Sequence, residues 1–157
     1  MKTATLSELK KNLSGLPPAQ LNLLLLRLAR FKKENKELLT YLLFEADDEA
    51  GYIEGVCNEV DALFAAIRKE SPDYLMKKSV RKVLRMVHKS IRFSGEPTTE
   101  ISLLLHFCKS LKRSIVRYDR NPILRNMYST QIRKIEKALS GLHEDIQGDF
   151  RESVSEL

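Results

Sequence analysis

The sequence of 157 residues contains no Trp and only 2 Cys, 6 Gly and 5 Pro. So few glycines and prolines exclude a collagen-like or low-complexity chain. The hydrophobic fraction of 43% excludes intrinsic disorder and is sufficient for a core. The length predicts a single domain over residues 1–157, with frayed or flexible ends at 1–16 and 151–157.

The two cysteines, Cys57 and Cys108, are far apart and belong to no CxxC pair. Their arrangement excludes a disulfide framework and a cysteine-rich zinc site, and two free thiols are typical of the reducing cytoplasm. The most apolar stretch, Leu21–Phe31, is interrupted by Arg27 and Arg30. We therefore expect a cytoplasmic protein with neither a secretory signal nor a membrane-spanning helix.

No segment alternates between apolar and polar residues with a period of two, and no Asn-Gly or Asp-Gly hairpin turn occurs. Apolar residues recur at helical spacing instead. We predict an all-α fold, a compact bundle of five to seven helices with linkers at 71–73, 94–98 and 119–122. A short α-solenoid of stacked helix pairs is the alternative, and the absence of a repeated consensus favours the bundle.

Two of the predicted helices carry specific expectations about packing. Leu21–Phe31 has leucines on two sides, which is typical of a central helix covered on both. The polar run 32–37 that follows is either a solvated helix turn or a break between two short helices, and we favour the break. In the helix predicted from about 47 to 70, Gly51 and Gly55 lie one turn apart. Because each glycine costs about 1 kcal/mol relative to Ala, we expect a neighbouring backbone to approach them closely.

The formal net charge of +6 is distributed unevenly along the chain. Residues 45–61 contain seven acidic side chains and no basic one, whereas residues 68–92 contain nine basic and two acidic side chains. A second basic segment, with nine basic and two acidic side chains, follows at 109–137. The useful quantity is therefore the local charge, not the total.

The predicted helix 73–92 carries seven basic side chains on the face opposite its apolar stripe. Like charges at i, i+4 repel by about 0.2–0.5 kcal/mol per pair, so an anionic group should compensate them. One interpretation is a nucleic-acid backbone, and the other is the chain's own acidic segment 45–61 or a second copy of the protein. The candidate anion-binding residues are Lys77, Lys78, Arg81, Lys82, Arg85, Lys89 and Arg92.

No catalytic constellation emerges from the sequence, and no cofactor or small-molecule substrate is implied. His106 and Cys108 are two residues apart and point to different sides of a helix, so we expect His106 to be half-buried and satisfied. Glu45 and Asp48, at i and i+3, are weak candidates for binding Mg²⁺ from one side of a helix. Together with 34–37 they loosely resemble the paired acidic sets of helical nucleotide pyrophosphatases, although the spacing is shorter and the doubled Glu is missing.

The C-terminal helix has a near-heptad apolar seam of about six turns, which predicts packing along one long helix, either within the chain or in a partner. The seam consists of Tyr128, Ile132, Ile135, Leu139, Leu142 and Ile146. Because Leu-rich helical proteins often complete their core with a second copy, self-association is an open alternative.

Taken together, these patterns favour a non-enzymatic cytoplasmic helical domain that acts as an interaction or scaffold module. Its partner would be another protein or a second copy of itself. A nucleic-acid-binding protein that uses the basic face is the second hypothesis, and a Mg²⁺-dependent phosphohydrolase is the third. No membrane partner is expected.

Overall fold

A computed structural model describes residues 2–68, 71–115 and 118–157. Over these residues the chain is helical with no strand, which confirms the all-α prediction. A short 3₁₀ helix, Tyr118–Arg120, precedes the seventh α-helix. The α-helices are α1 (Leu6–Leu13), α2 (Pro18–Phe31), α3 (Lys33–Phe44), α4 (Glu49–Ala65), α5 (Asp73–Ser94), α6 (Pro97–Ser114), α7 (Pro122–Ser140) and α8 (Glu144–Ser155).

The eight α-helices in this part of the chain are one more than the largest number predicted, and α1 lies within the segment 1–16 that was expected to be frayed or flexible. Helix α1 begins with a capping box, in which Glu8 Oε2 accepts from the Thr5 backbone N–H at 2.7 Å and Thr5 Oγ1 accepts from Glu8 N–H at 3.3 Å. The expected mobility of residues 1–16 and 151–157 stays a prediction, and the structure gives helical backbone to 6–13 and 151–155.

The chain divides into two compact units, Met1–Phe44 (the N-terminal unit) and Glu45–Leu157 (the C-terminal unit). The single domain expected over 1–157 stays a prediction. Within the C-terminal unit, α6 is the central helix, and α4, α5 and α7 pack against it. This arrangement is that of the predicted bundle.

Helix α6 is buried over most of its circumference, and Lys112 and Arg113 near its C-terminal end remain exposed. Apolar residues at helical spacing, including Ile101, Leu104, Leu111 and Ile115, are buried, and so are Leu103 and Phe107. Phe107 packs against Phe64 of α4 with ring centroids 5.7 Å apart. The central, doubly covered helix of this protein is therefore α6.

The N-terminal unit is built on the pair α2 and α3. Lys32 alone separates the two helices, in extended conformation (φ −141°, ψ 143°), which confirms the predicted break and reduces it to one residue. The Asn35 side chain donates to the Leu28 carbonyl at 2.9 Å, near the C-terminal end of α2. The prediction that Leu21–Phe31 is covered on two faces is wrong, because α2 contains no buried residue.

Candidate interaction surfaces

The seven predicted anion-binding residues lie on one side of α5. At 100° per residue they fall within an arc of about 140°, opposite the buried Val80, Val83 and Val87. Five of the seven are exposed, and Lys77 and Lys89 are partly buried. The Lys89 ammonium also lies 5.8 Å from the centre of the Phe93 ring.

The acidic segment 45–61 was one candidate for neutralising this basic face. In the parts of the chain the structure describes, no ion pair within 4 Å joins an acidic side chain to Lys77, Lys78, Arg81, Lys82 or Arg85. Two carboxylates of α4, those of Glu49 and Asp61, have partners other than this basic face. Glu49 Oε1 accepts from the hydroxyls of Ser94 and Thr99, each at 2.5 Å, and Asp61 faces α6.

Asp61 is the centre of a polar network between α4 and α6. Its Oδ1 lies 3.0 Å from His106 Nε2, and it accepts from Ser110 Oγ at 2.7 Å and from Arg113 Nη2 at 2.8 Å. Burial is the largest single effect on the pKa of Asp61 and would raise it. The hydrogen bond from Ser110, the charge and hydrogen bond of His106 and the charge of Arg113 together outweigh burial, so the pKa is lowered.

Helix α7 brings further positive charge to the edge of the basic face. Lys134 Nζ lies 3.4 Å from Nε2 of His88, which sits on α5 beside the basic arc. Burial lowers the pKa of His88, and the charges of Lys134 and Arg92 lower it further. Burial and the two neighbouring cations therefore all favour the neutral imidazole of His88.

The predicted helical seam is not continuous. Helix α7 ends at Ser140 and α8 begins at Glu144, so Leu142 lies in the connection and Ile146 lies on another helix. The prediction of a single six-turn seam from Tyr128 is therefore wrong. The break forms at Gly141, and the ring nitrogen Nδ1 of His143 accepts from Asp145 N–H at the start of α8.

The members of the seam that remain on α7 serve the C-terminal unit itself. Ile135 is fully buried, and Ile132 and Leu139 are partly buried. The Tyr128 hydroxyl donates to the Leu157 carbonyl at 2.6 Å, and its ring lies 5.1 Å from that of Tyr118. The role of these residues toward a partner helix stays a prediction.

The N-terminal unit presents many exposed large apolar side chains, here together called the Leu-rich surface, and they include the leucines of α2 that were expected to be covered. Twelve of the sixteen large apolar side chains that are exposed in the described residues belong to this unit, and Tyr41 is its one buried apolar side chain in the same residues. The surface comprises Leu6, Leu9, Leu13, Leu23, Leu24, Leu25, Leu26, Leu28, Phe31, Leu42, Leu43 and Phe44. Helical periodicity finds such stripes but does not distinguish a core from an uncovered face.

Two open grooves run between α2 and α3. The first, of about 580 Å³, has an apolar floor with basic residues along it, and we call it the basic-edged groove. It is lined by Leu26, Ala29, Arg30, Lys33, Lys36, Leu39, Thr40, Leu43 and Phe44. The second, of about 280 Å³, is lined by uncharged residues, and we call it the uncharged groove. It is lined by Leu25, Leu28, Ala29, Asn35, Leu38, Leu39 and Leu42.

The chain matches no protein-family model, no curated protein and no solved structure.

The residues considered for metal chemistry do not share a helix side. Glu45 and Asp48 lie ahead of α4 rather than on it, so that prediction is wrong, and Asp48 caps α4 by accepting from Gly51 N–H at 3.0 Å. Among residues 2–68, 71–115 and 118–157, no three His, Cys, Asp or Glu side chains form a group that could hold a metal ion. The same residues contain no helix long and apolar enough to cross a bilayer.

The surroundings of the two thiols and of His106 do not favour catalysis. Burial raises the pKa of Cys57 to about 11, with a further contribution from the charge of Asp61, and raises the pKa of Cys108 to about 12. Because the thiolate is the nucleophile, both cysteines are poorly reactive at neutral pH. His106 is partly buried and paired with Asp61, which confirms the expected satisfied histidine.

Proposed function

We propose that this protein is a non-enzymatic helical interaction module of the cytoplasm, and that its N-terminal unit binds a partner protein through the Leu-rich surface. The observation that carries the proposal is the exposure of leucines across α2 and α3, with Leu43 exposed by 62% and Leu28 by 57%. Large exposed apolar areas are rare on monomeric proteins and typically mark interaction sites.

Fully burying a Leu or Phe side chain contributes about 1.5–3 kcal/mol, and the Leu-rich surface offers twelve large apolar side chains. Because association itself costs about 4–15 kcal/mol, a stable complex requires a partner that covers many of these side chains at once. The cytoplasmic assignment rests on the two free, unreactive cysteines.

The proposal is tested by placing a photo-crosslinking amino acid at Leu43 in cells that make the protein. The matched control is the same group at Leu75, which is exposed by 40% and belongs to the C-terminal unit. We expect one defined partner to be crosslinked from Leu43 and not from Leu75. The partner is then purified, and its affinity should fall by about tenfold or more for Leu43→Asp but not for Leu75→Asp.

Two results contradict this proposal. Crosslinking that is equal at both positions, or absent from both, removes the interaction function from the Leu-rich surface. If the crosslinked mass is that of a second copy of the chain, the surface serves self-association, and the partner is the protein itself.

A second candidate function is binding of a nucleic-acid backbone by the basic face of α5. The observation that favours it is that five exposed or partly exposed cations have no acidic partner among the described residues. Phosphate neutralisation by Lys and Arg makes affinity fall steeply with salt, because counterions are released.

The test is a salt series of binding to mixed-sequence DNA and RNA, comparing the wild type with Arg81→Glu/Arg85→Glu. The control is Lys10→Glu/Lys11→Glu, which changes the net charge equally on α1. We expect the α5 variant to lose most of the affinity and to flatten the salt dependence, whereas the control keeps both. Equal losses in both variants would show that only net charge matters, and absence of binding at low salt rejects this function.

A further inference from the structure

We propose that the basic-edged groove binds an acidic amphipathic helix from a partner protein. Apolar side chains of that helix would lie on the floor formed by Leu26, Leu39 and Leu43, and its carboxylates would pair with Arg30 and Lys36. This inference rests on the proposed interaction function and names the chemistry of the partner.

The shape of the groove fits a helix. On the α3 side its lining residues recur every three or four positions, and on the α2 side they extend from Leu26 to Arg30. On the α3 side it extends from Lys33 to Phe44, the full length of that helix, which is about 18 Å at 1.5 Å per residue. A helix of about three turns has the same length, and helices bind such grooves through apolar anchors at i, i+3, i+4 and i+7.

The charge of the groove selects an acidic partner. Residues 1–44 contain eight Lys or Arg and three Glu, and three of those basic residues line this groove. Lys33 pairs with Glu37 at 3.6 Å, whereas Arg30 and Lys36 form no ion pair with any acidic side chain in the described residues. Carboxylates on the flanks of the bound helix would therefore find two unpaired cations beside the apolar floor.

The same charges argue against a second copy in this groove. In a symmetric dimer each patch faces its own equivalent, so Arg30 and Lys36 of one copy would approach those of the other. Like charges that face each other across an interface are unfavourable. The apolar floor in turn argues against a nucleic-acid backbone, which offers phosphates but no apolar side chains.

The groove can be probed on the full-length protein with two synthetic amphipathic helical peptides of about 14 residues. Both carry Leu at i, i+3, i+4 and i+7, and one has Glu on the flanks of this face whereas the other has Lys. Binding is followed by fluorescence anisotropy at low and at physiological salt. We expect the Glu peptide to bind about tenfold more tightly than the Lys peptide, with a difference that shrinks as salt is added.

Matched variants locate the binding. Arg30→Glu/Lys36→Glu should reverse the preference between the two peptides, whereas Lys10→Glu/Lys11→Glu, with the same change of net charge on α1, should keep it. Leu43→Asp on the floor of the basic-edged groove should weaken the Glu peptide about tenfold or more, whereas Leu42→Asp in the uncharged groove should not. Far-UV circular dichroism checks the fold, and if Leu43→Asp is misfolded, the charge-reversal pair decides alone.

Several outcomes overturn the inference. Equal affinity for the two peptides, an unchanged preference in Arg30→Glu/Lys36→Glu, or equal effects of Leu42→Asp and Leu43→Asp would each show that the basic-edged groove does not select an acidic helix. If the protein crosslinks a partner at Leu43 through a segment that is not an acidic helix, this inference fails while the interaction function stands. If no partner is crosslinked, the function itself fails.

Discussion

Helices α2 and α6 have similar compositions and opposite environments. Both have a proline at the first helical position and both contain a run of leucines, yet no residue of α2 is buried, whereas nine residues of α6 are. Helix α6 is surrounded by α4, α5 and α7, and its polar side chains also find partners, since Glu49 accepts from Thr99 and Asp61 accepts from Ser110. Within its own unit α2 packs chiefly on α3.

Leucine content alone therefore does not determine whether a helix is buried. A helix that is apolar on several sides needs several neighbours, and the C-terminal unit supplies three for α6. The N-terminal unit supplies too few neighbouring helices for α2, so the leucines of α2 stay exposed and form part of the Leu-rich surface. The following predictions test this comparison, beginning with the largest effect.

Two phenylalanine truncations separate the core from the exposed surface. Phe107 is 0% exposed and Phe44 is 79% exposed. Phe107→Ala should lower the free energy of unfolding by about 3–5 kcal/mol, because it leaves a cavity beside Phe64. Phe44→Ala should change it by no more than about 0.5 kcal/mol. Urea unfolding of both variants measures the difference, and comparable losses would mean that the N-terminal unit buries a core of its own.

The Asp61 network provides the second test of the C-terminal unit. Asp61→Asn removes the negative charge that interacts with His106 and Arg113. We expect the free energy of unfolding to fall by about 1–2 kcal/mol, a range that allows for the partial exposure of the Asp61 side chain. Glu59→Gln, an exposed change on the same helix, should remain within about 0.5 kcal/mol of the wild type. Chemical unfolding at pH 7 compares the two variants.

The effect of Asp61→Asn should also depend on pH. The folded protein lowers the pKa of Asp61 below its ordinary value of 3.8, so the ionised carboxylate stabilises the fold fully above that value. This stabilisation is lost as the pH falls below 3.8 and through the lower pKa of the folded state. The gap between wild type and D61N measured at pH 7 should therefore narrow at pH 3. A constant gap would show that packing, not charge, is responsible.

The two glycines of α4 test how far tight packing extends in the C-terminal unit. A Cβ at Gly55 would meet no atom within 4 Å, whereas one at Gly51 would collide with the capping carboxylate of Asp48. The predicted close approach of a neighbouring backbone is therefore wrong for both. Gly55→Ala should stabilise the protein by about 1 kcal/mol, and Gly51→Ala should gain little, because the helical gain is offset by the disturbed cap. Thermal unfolding distinguishes the two, and a destabilising Gly55→Ala would reveal a neighbour on that face.

The smallest effect on stability is expected for the ion pair between Lys33 and Glu37 in the N-terminal unit. Lys33 and Glu37 form an exposed i, i+4 pair at 3.6 Å. Lys33→Ala should cost only about 0.3–0.5 kcal/mol, and the cost should disappear in about 1 M salt. Hydrogen exchange of the α3 amides is sensitive enough to measure it. A cost as large as that of Asp61→Asn would remove the contrast between the two units.

The sequence predicted the parts of the fold that depend on local signals. Helical spacing identified the all-α class, and the polar run after Phe31 identified the break between α2 and α3. The side on which a helix is covered depends on neighbours distant in sequence, so α2 was wrongly expected to be covered on two faces. The break at Gly141 was missed because the heptad spacing from Tyr128 to Ile146 continues across it.

The candidate sites follow the same division. The basic face of α5 lies where helical spacing placed it. The partners of the acidic side chains could not be predicted, because those of Glu49 and Asp61 lie on α5 and α6, 45 to 52 positions away. The basic-edged groove could not be predicted from the sequence either, since a groove between two helices exists only after they have packed.

The central position of α6 has a consequence for the synthesis of the protein. The apolar face of α4, including Val56, Val60 and Phe64, can be covered only after α6 has left the ribosome. The residues that form hydrogen bonds between the two helices are 45 to 52 positions apart in the chain. At about 5–20 residues per second, the delay is roughly 2–10 s. During that interval the nascent chain exposes the leucines of α2 and the future core together, and chaperones that recognise apolar segments have their longest opportunity to bind it.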